Sequence, residues 1–255
     1  MGPLYASPLR GAMLQSMPAM KRIGVLGGIS PQATIDFEAR VHRVCQRLVP
    51  QSWNRGYPPM VVWYHRRMPL RVDADDRPVV PREIDPELVD AAAWLGRSVD
   101  FLVMPCNAAH VGLAALRKAA GCPVLSMIDV TVDEVTRRGW RHVGVLGFAG
   151  APGPYVEALG ARGVRHATID GALQARVDAG IRAVAEGREG PADTEGARAA
   201  VAAVRAVPVE GVVLGCTEIP LMLGEEADAK DLLSPAALLA EAAVRAAIGD
   251  IPLPR

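Results

Sequence analysis

Aromatic side chains make up only 4% of this 255-residue chain, and its 28 Lys and Arg residues are balanced by 28 Asp and Glu. Without a basic field or stacking rings there is nothing to build a nucleic-acid groove from, and binding to polyanions is disfavoured. Cysteine is scarce as well, at 4 residues in irregular positions. That spacing excludes a disulfide scaffold, a zinc ribbon and CxxC redox chemistry, and fits reduced thiols in a cytoplasmic protein. No apolar run approaches the roughly 18 residues that a bilayer span requires, so no membrane association is expected. His42, His65, His142 and His166 have no metal-ligand spacing, and no metal site is expected. The turn in GVLGGI lacks the GxGxxG pattern and no acidic residue sits usefully after a second strand, which argues against a nicotinamide cofactor.

What is present is material for a core. Hydrophobic residues reach 50% and charged ones 22%, so disorder is excluded as a description of the whole. The length suits two lobes of roughly 100 to 130 residues each. The opening MGPLYASPLRGAMLQSMPAM has arginine too late and an apolar stretch too broken for a secretory signal, and Ala6 spoils a myristoylation site. Residues 1–20 therefore read as a flexible N-terminal extension, with Met20 an equally good start.

Apolar blocks then alternate with helical periods. KRIGVLGG (21–28) reads as a buried strand entering a glycine turn, and Val41, Val44, Cys45 and Leu48 recur at helical spacing within 32–49. Cys45 thereby falls on a core face, as a small buried hydrophobe. A strand at 60–64, a helix near 86–98, the strand DFLVMP (100–105), a helix from about 107 to 119 and the strand PVLSMI (123–128) complete a βαβαβαβ series. The expected class is α/β, with mainly parallel sheets flanked by helices.

The order repeats. RHVGVLGFAG (141–150) restates KRIGVLGGIS (21–30) at an offset of 141 − 21 = 120, and VEGVVLGCTEIP (209–220) restates VDFLVMPCNAAH (99–110) at 209 − 99 = 110. Two such offsets point to a duplicated lobe. The second supplies strands near 142–147, 165–169, 210–215 and 231–233, and helices near 154–162, 172–187, 193–206 and 235–248, two of them separated at Pro191. The expected division assigns 21–122 plus 230–255 to the first lobe and 123–229 to the second.

The duplication gives Cys106 and Cys216 the same place in each lobe, at the carboxyl end of a central strand, the edge where open parallel sheets bind ligands. If the lobes face each other about a pseudo-twofold axis, the thiols approach one cleft from opposite sides. Opposed thiols suit inversion of a stereocentre, which needs a base on one face of the carbon and an acid on the other. Backbone N–H groups of Asn107, Ala108 and Ala109, and of Thr217 and Glu218, are expected to point at the sulfurs and favour thiolate, so that the pair shares one proton.

IGVLGGISPQAT, MPCNAAH and LGCTEIPL, in this order, resemble the cofactor-independent aspartate/glutamate racemase family, closest to its aspartate racemase branch. The resemblance runs from about Lys21 to Ile248. It implies two pseudo-symmetric lobes with the site between them, frequent homodimers, an amino-acid substrate, and two cysteines acting as the two bases without pyridoxal phosphate or metal. Carried over by position, Cys106 and Cys216 become the catalytic pair, Asn107, Ala108 and Thr217 substrate-binding positions, and Arg71 of VVWYHRRMPLR a partner for a substrate carboxylate. His110, one helical turn after Cys106, and Glu218, beside Cys216, stand where they could tune the thiols.

The chain departs from that branch around the acid–base pair. Ala108 stands in place of a threonine, and Ala175, followed by Arg176, in place of a lysine that holds a side-chain carboxylate. FAGAPGPY (148–155) replaces a threonine-rich stretch, YHRR (64–67) replaces an asparagine-rich turn, and Ser30 is one of two residues the branch uses there. Aspartate is therefore open to replacement by a less polar amino acid or related acid. Two other readings stand beside the racemase. One is an isomerase, decarboxylase or cyclase using one thiol as nucleophile and the other as acid; the other is a ligand-binding relative without catalysis.

Overall fold

The structure is a computed structural model, described for residues 19–74, 79–150 and 153–254. The extension expected at 1–20 lies, but for Ala19 and Met20, outside the described residues.

The first sheet has four parallel strands in the order β2-β1-β3-β4: β1 Ile23–Gly27, β2 Met60–Tyr64, β3 Phe101–Val103 and β4 Val124–Leu125. Between them run α1 Pro31–Leu48, α2 Pro86–Gly96 and α3 Leu113–Ala120. The second sheet repeats this order with β5 His142–Leu146, β6 Arg165–Ala167, β7 Gly211–Leu214 and β8 Leu232–Leu233. Its helices are α5 Gly153–Ala161, α6 Gly171–Ala185, α7 Pro191–Arg205 and α8 Ile219–Leu223. Two further helices, α4 Met127–Arg137 and α9 Pro235–Ile248, follow β4 and β8. The duplicated α/β architecture expected from the repeats is thus present, with the same strand order in both halves. Pro191 is the first residue of α7, where its missing N–H costs nothing.

The central strands β1, β3, β5 and β7 are covered on both faces, which is why they read as nearly continuous apolar runs. Ile23, Val25, Phe101 and Val103 pack under α1 and α9, while Leu26 and Leu102 pack under α2 and α3. In the second sheet Val212 and Leu214 meet α6 and α7, and Val143, Val145 and Val213 meet α4 and α5.

The strand expected over 123–128 stops after Leu125. Ser126 takes an extended conformation and its Oγ accepts the Asp129 N–H, so the chain turns into α4. Hydropathy does not register the change because Met127 and Ile128 stay buried. The helix expected from 107 likewise begins as a 3-10 turn, Ala108–Gly112, before α3.

Strand pairing also moves two strands across the expected lobe boundaries. β4, placed with the second lobe, completes the first sheet, and β8, placed with the first, completes the second. The helices after them make the exchange. α4 leaves the first sheet to lie on the second core through Ile128, Val132 and Val135. α9 returns from the second sheet to the first core through Ala236, Leu239, Ala240, Ala243 and Val244. The two pack against each other and join the halves. Among the described residues no helix is long and apolar enough to cross a membrane.

Candidate functional site

The carboxyl edges of the two sheets carry the site. β1 and β3 pair Val25 with Val103, so three residues on Gly28 is level with Cys106; on the other side of β1, His65 donates its N–H to Gly27 O at 2.8 Å. In the second sheet Leu146 pairs with Leu214, and two residues on Phe148 is level with Cys216. Gly28 has φ +79°, and a Cβ there would lie 2.3 Å from the Tyr64 Cα, so this turn accepts only glycine. The turn is tied by Thr34, whose Oγ1 accepts the Gly28 N–H at 2.8 Å and donates to Ser30 O at 3.0 Å.

Cys106 and Cys216 come within electrostatic reach of one another, and both are half-buried. The Ala108 and Ala109 N–H groups point at the Cys106 sulfur, and the Glu218 N–H at that of Cys216, three of the five donors expected from the sequence. Their effect is smaller than that of burial. Desolvation, with the negative charge of Glu218 adding to it, pushes the Cys106 thiol up to about 12; the same two causes push Cys216 well above its ordinary range. Burial thus favours the thiol form at both sulfurs and outweighs the N–H groups expected to favour thiolate. The turns are one-turn helices at best, too short for a substantial dipole.

Glu218 is buried and its Oε2 accepts from Cys216 Sγ at 2.9 Å and from Thr217 Oγ1 at 3.1 Å. Asn107, also buried, accepts the Tyr155 O–H on Oδ1 at 2.8 Å. That contact joins the lobes and sets the amide, leaving Asn107 Nδ2 buried and without a partner. Tyr155 is wholly buried, and nothing in the sequence beyond its being one of 4 tyrosines marks it for this role. Burial raises its phenol.

His110 accepts the Met127 N–H on Nε2 at 3.0 Å, which leaves the proton on Nδ1 for Cys106 O at 2.9 Å. Burial lowers it from 6.5 to about 4. It is a neutral clamp between the Cys106 turn and the start of α4, bonded to the cysteine's carbonyl rather than to its sulfur. The unfolded chain takes up a proton near pH 6.5 and the folded one only near 4. The stability this site contributes at neutral pH is accordingly lost as pH falls through that window, by about 3 kcal/mol. His110→Ala, which strands two buried backbone groups and opens a cavity, costs about 2–4 kcal/mol at pH 7 and flattens that acid slope. Denaturant titrations at pH 7 and pH 5 check both.

Arg71 is not drawn into this cluster. Its side chain is 61% exposed and donates to Glu83 Oε2 at 3.0 Å. It follows an antiparallel bridge, Leu70 with Ile84, and Ile84 leans on Gly112 at the end of the turn after Cys106. Ala108 is exposed and offers its backbone alone, while Ala175 and Arg176 point outward from α6. Gln174, one residue earlier, is the buried member of that turn, in step with Val177, Ile181 and Val184. A polar residue in an apolar helical stripe was the signal for it. Among the described residues no group of three or more His, Cys, Asp or Glu stands together as a metal site.

Two sheets of the same order, joined through exchanged helices and each presenting a cysteine at its carboxyl edge, define a duplicated α/β protein with paired thiols between its halves. Residues 26–243 match the Asp/Glu/Hydantoin racemase family, and the chain belongs to it. It is 33% identical over 126 residues to the broad specificity amino-acid racemase RacX of Bacillus subtilis (strain 168), an alignment covering 49% of this chain and 53% of RacX. The chain thus spans about half the length of that curated relative. Its fold is similar to aspartate racemase from Picrophilus torridus, with TM-score 0.71 and 20% identity over 89% of this chain and 94% of the other. It is also similar to an aspartate racemase homologue from Pyrococcus horikoshii OT3, with TM-score 0.68 and 20% identity over 89% and 99%.

Proposed function

We propose that the protein is an isomerase that racemises an amino acid without a cofactor, with Cys106 and Cys216 as the two acid–base groups. The observation that carries this reading is the pair of half-buried thiols, one from each lobe, within reach of each other's charge. Family membership and the likeness to RacX, itself a racemase, support it.

In the reaction one sulfur, as thiolate, removes the α-hydrogen. The other, as thiol, gives its proton to the opposite face of the planar carbon. The roles are then exchanged, and the opposite hand runs the same path backwards. A thiol held high by burial makes a strong base once ionised. Cys216 donates its S–H to the Glu218 carboxylate, a contact that favours the protonated form and suits this sulfur to the acid role. The unpartnered Asn107 Nδ2 and the backbone N–H groups of Ala108 and Ala109 supply donors for the α-carboxylate, with Thr217 beside them on the second lobe. Arg71 would have to leave Glu83 to reach a carboxylate and serves at most at the rim. A homodimer and a cytoplasmic setting go with this reading.

Racemisation run in deuterium oxide with EDTA present tests it. Two separate bases place solvent deuterium at the α-carbon of the inverted product, while substrate recovered early keeps its own hydrogen. Inversion with the original hydrogen carried over, or none on any amino acid, would refute the two-base reading.

A further inference from the structure

The enclosed part of the cleft is short of positive charge. Among the described residues Glu218 is the only buried acidic side chain, no Lys or Arg is buried, and the buried His65 is taken up by Asp85 at 3.4 Å. His110 is neutral there. The cations near the cleft stand at its outside: Arg71 is held by Glu83, and the Arg182 guanidinium lies over the face of Phe148 at 5.6 Å. A second carboxylate on the substrate would enter beside Glu218 with no buried cation to meet it, and burying an unpaired charge is costly.

Neutral polar atoms are present in its place. Ser30 Oγ, Asn107 Nδ2 and Gln174 Oε1 are all buried without a partner, on side chains each 8% exposed. Ser30 and Asn107 follow the carboxyl ends of β1 and β3, and Gln174 lies in α6, after β6, where it is bonded to the residue directly after β5. Such atoms in a finished fold call for a polar partner, whether an ordered water or a group on a ligand.

Gln174 is the most constrained of the three. Its Nε2 donates to Gly147 O at 2.9 Å and to Asp178 Oδ1 at 2.7 Å. Both partners are acceptors, so the amide has one orientation, and Oε1 is left as a buried acceptor with no donor. Gly147 directly follows β5 and is level with Gly215, the residue before Cys216. α6, which carries Gln174, reaches across to the first lobe, where it packs on α1 and the following Gly187 lies against Gln32. The acceptor therefore sits in a wall that spans the two lobes on the Cys216 side, whereas the donors suited to an α-carboxylate cluster on the Cys106 side.

We infer that the amino acid racemised here carries a hydrogen-bond donor and no carboxylate on its side chain, and that Gln174 Oε1 is the group that reads that donor. The inference rests on the racemase reading above. An amide, a hydroxyl or an ammonium shares the required chemistry. A site built around a buried acceptor discriminates strongly against analogues that cannot satisfy it.

The test is a panel of single enantiomers of matched length, namely glutamine, homoserine, ornithine, norvaline and glutamate, followed by α-deuterium exchange and optical rotation. At least one donor-bearing substrate is expected to exceed both glutamate and norvaline in kcat/KM by about tenfold or more. Glutamine and homoserine against ornithine separates a neutral donor from a cationic one. In Gln174→Met, which keeps the length and removes the acceptor, the ratio of donor-bearing substrate to norvaline should fall about tenfold, mainly through KM. Glutamate turned over best by the unaltered enzyme would overturn the inference, as would a ratio unchanged in the variant. Exchange with none of the five, nor with any other amino acid, would instead sink the racemase reading and this inference with it.

Discussion

Alanine at Cys106 or at Cys216 is expected to lower racemisation on the order of a thousandfold or more, while each variant still washes deuterium into the α-carbon of one enantiomer. The asymmetry follows from the placement of the two sulfurs. With Cys216 gone, Cys106 can remove a hydrogen from its own face and return a solvent-derived one to that same face, so one hand of the substrate exchanges with retention. The other hand presents its hydrogen to an empty wall. In Cys106→Ala the hands are reversed. Cys122→Ala, at a half-buried thiol outside the cleft, is the control and should racemise normally. Chiral chromatography with mass detection reads all three variants. A single-cysteine variant that exchanges both enantiomers alike would mean that the thiols do not serve opposite faces. Serine in place of alanine is less informative, because a buried hydroxyl can keep a water in position.

Gly28→Ala is expected to be the most damaging substitution of a single methyl group in the site, destabilising the chain by roughly 3 kcal/mol or more. Two independent costs add. The backbone there lies at φ +79°, which an L side chain adopts with strain. The new Cβ would also fall 2.3 Å from the Tyr64 Cα, 2.5 Å from its carbonyl carbon and 2.6 Å from the His65 nitrogen. These are backbone atoms of β2 and its end, which cannot swing aside as a side chain would. Relief requires β2 to move away from β1, carrying the turn level with Cys106. Any folded fraction should therefore lose activity as well as stability. Gly121→Ala serves as comparison, since it shares a positive φ of 62° but a Cβ there meets nothing within 4 Å. Its cost should be about 1 kcal/mol, from backbone strain alone. Equal costs at the two positions, measured by denaturant midpoint, would show that contact with β2 is not what requires glycine.

The division between legible and illegible in this chain follows the range of the interactions involved. Strands such as β1 and helices such as α9 announce themselves through hydrophobic period, because central parallel strands are buried on both faces and helices on one. The duplication is equally local, carried by two pairs of matching segments that each hold a cysteine. What went unread was set by contacts far apart in sequence. Ser126 ends β4 and opens α4 within an apolar run whose hydropathy never changes. Tyr155 reaches Asn107 across 48 positions, and Gln174 is turned inward by the carbonyl of Gly147. Arg71, a cation near the motif, was expected at a carboxylate and stands exposed on Glu83.

By itself the sequence determined that this is a duplicated α/β chain with a cysteine at the same strand end in each half, because alternating apolar blocks and repeated segments are properties of short stretches. Only the tertiary structure decided that α4 and α9 trade lobes and that the two half-buried thiols stand within reach of each other's charge. It also decided that their protons are held tightly rather than loosened. Burial and net charge around a buried atom are sums over everything packed against it, and a linear chain does not state which of its distant parts those will be.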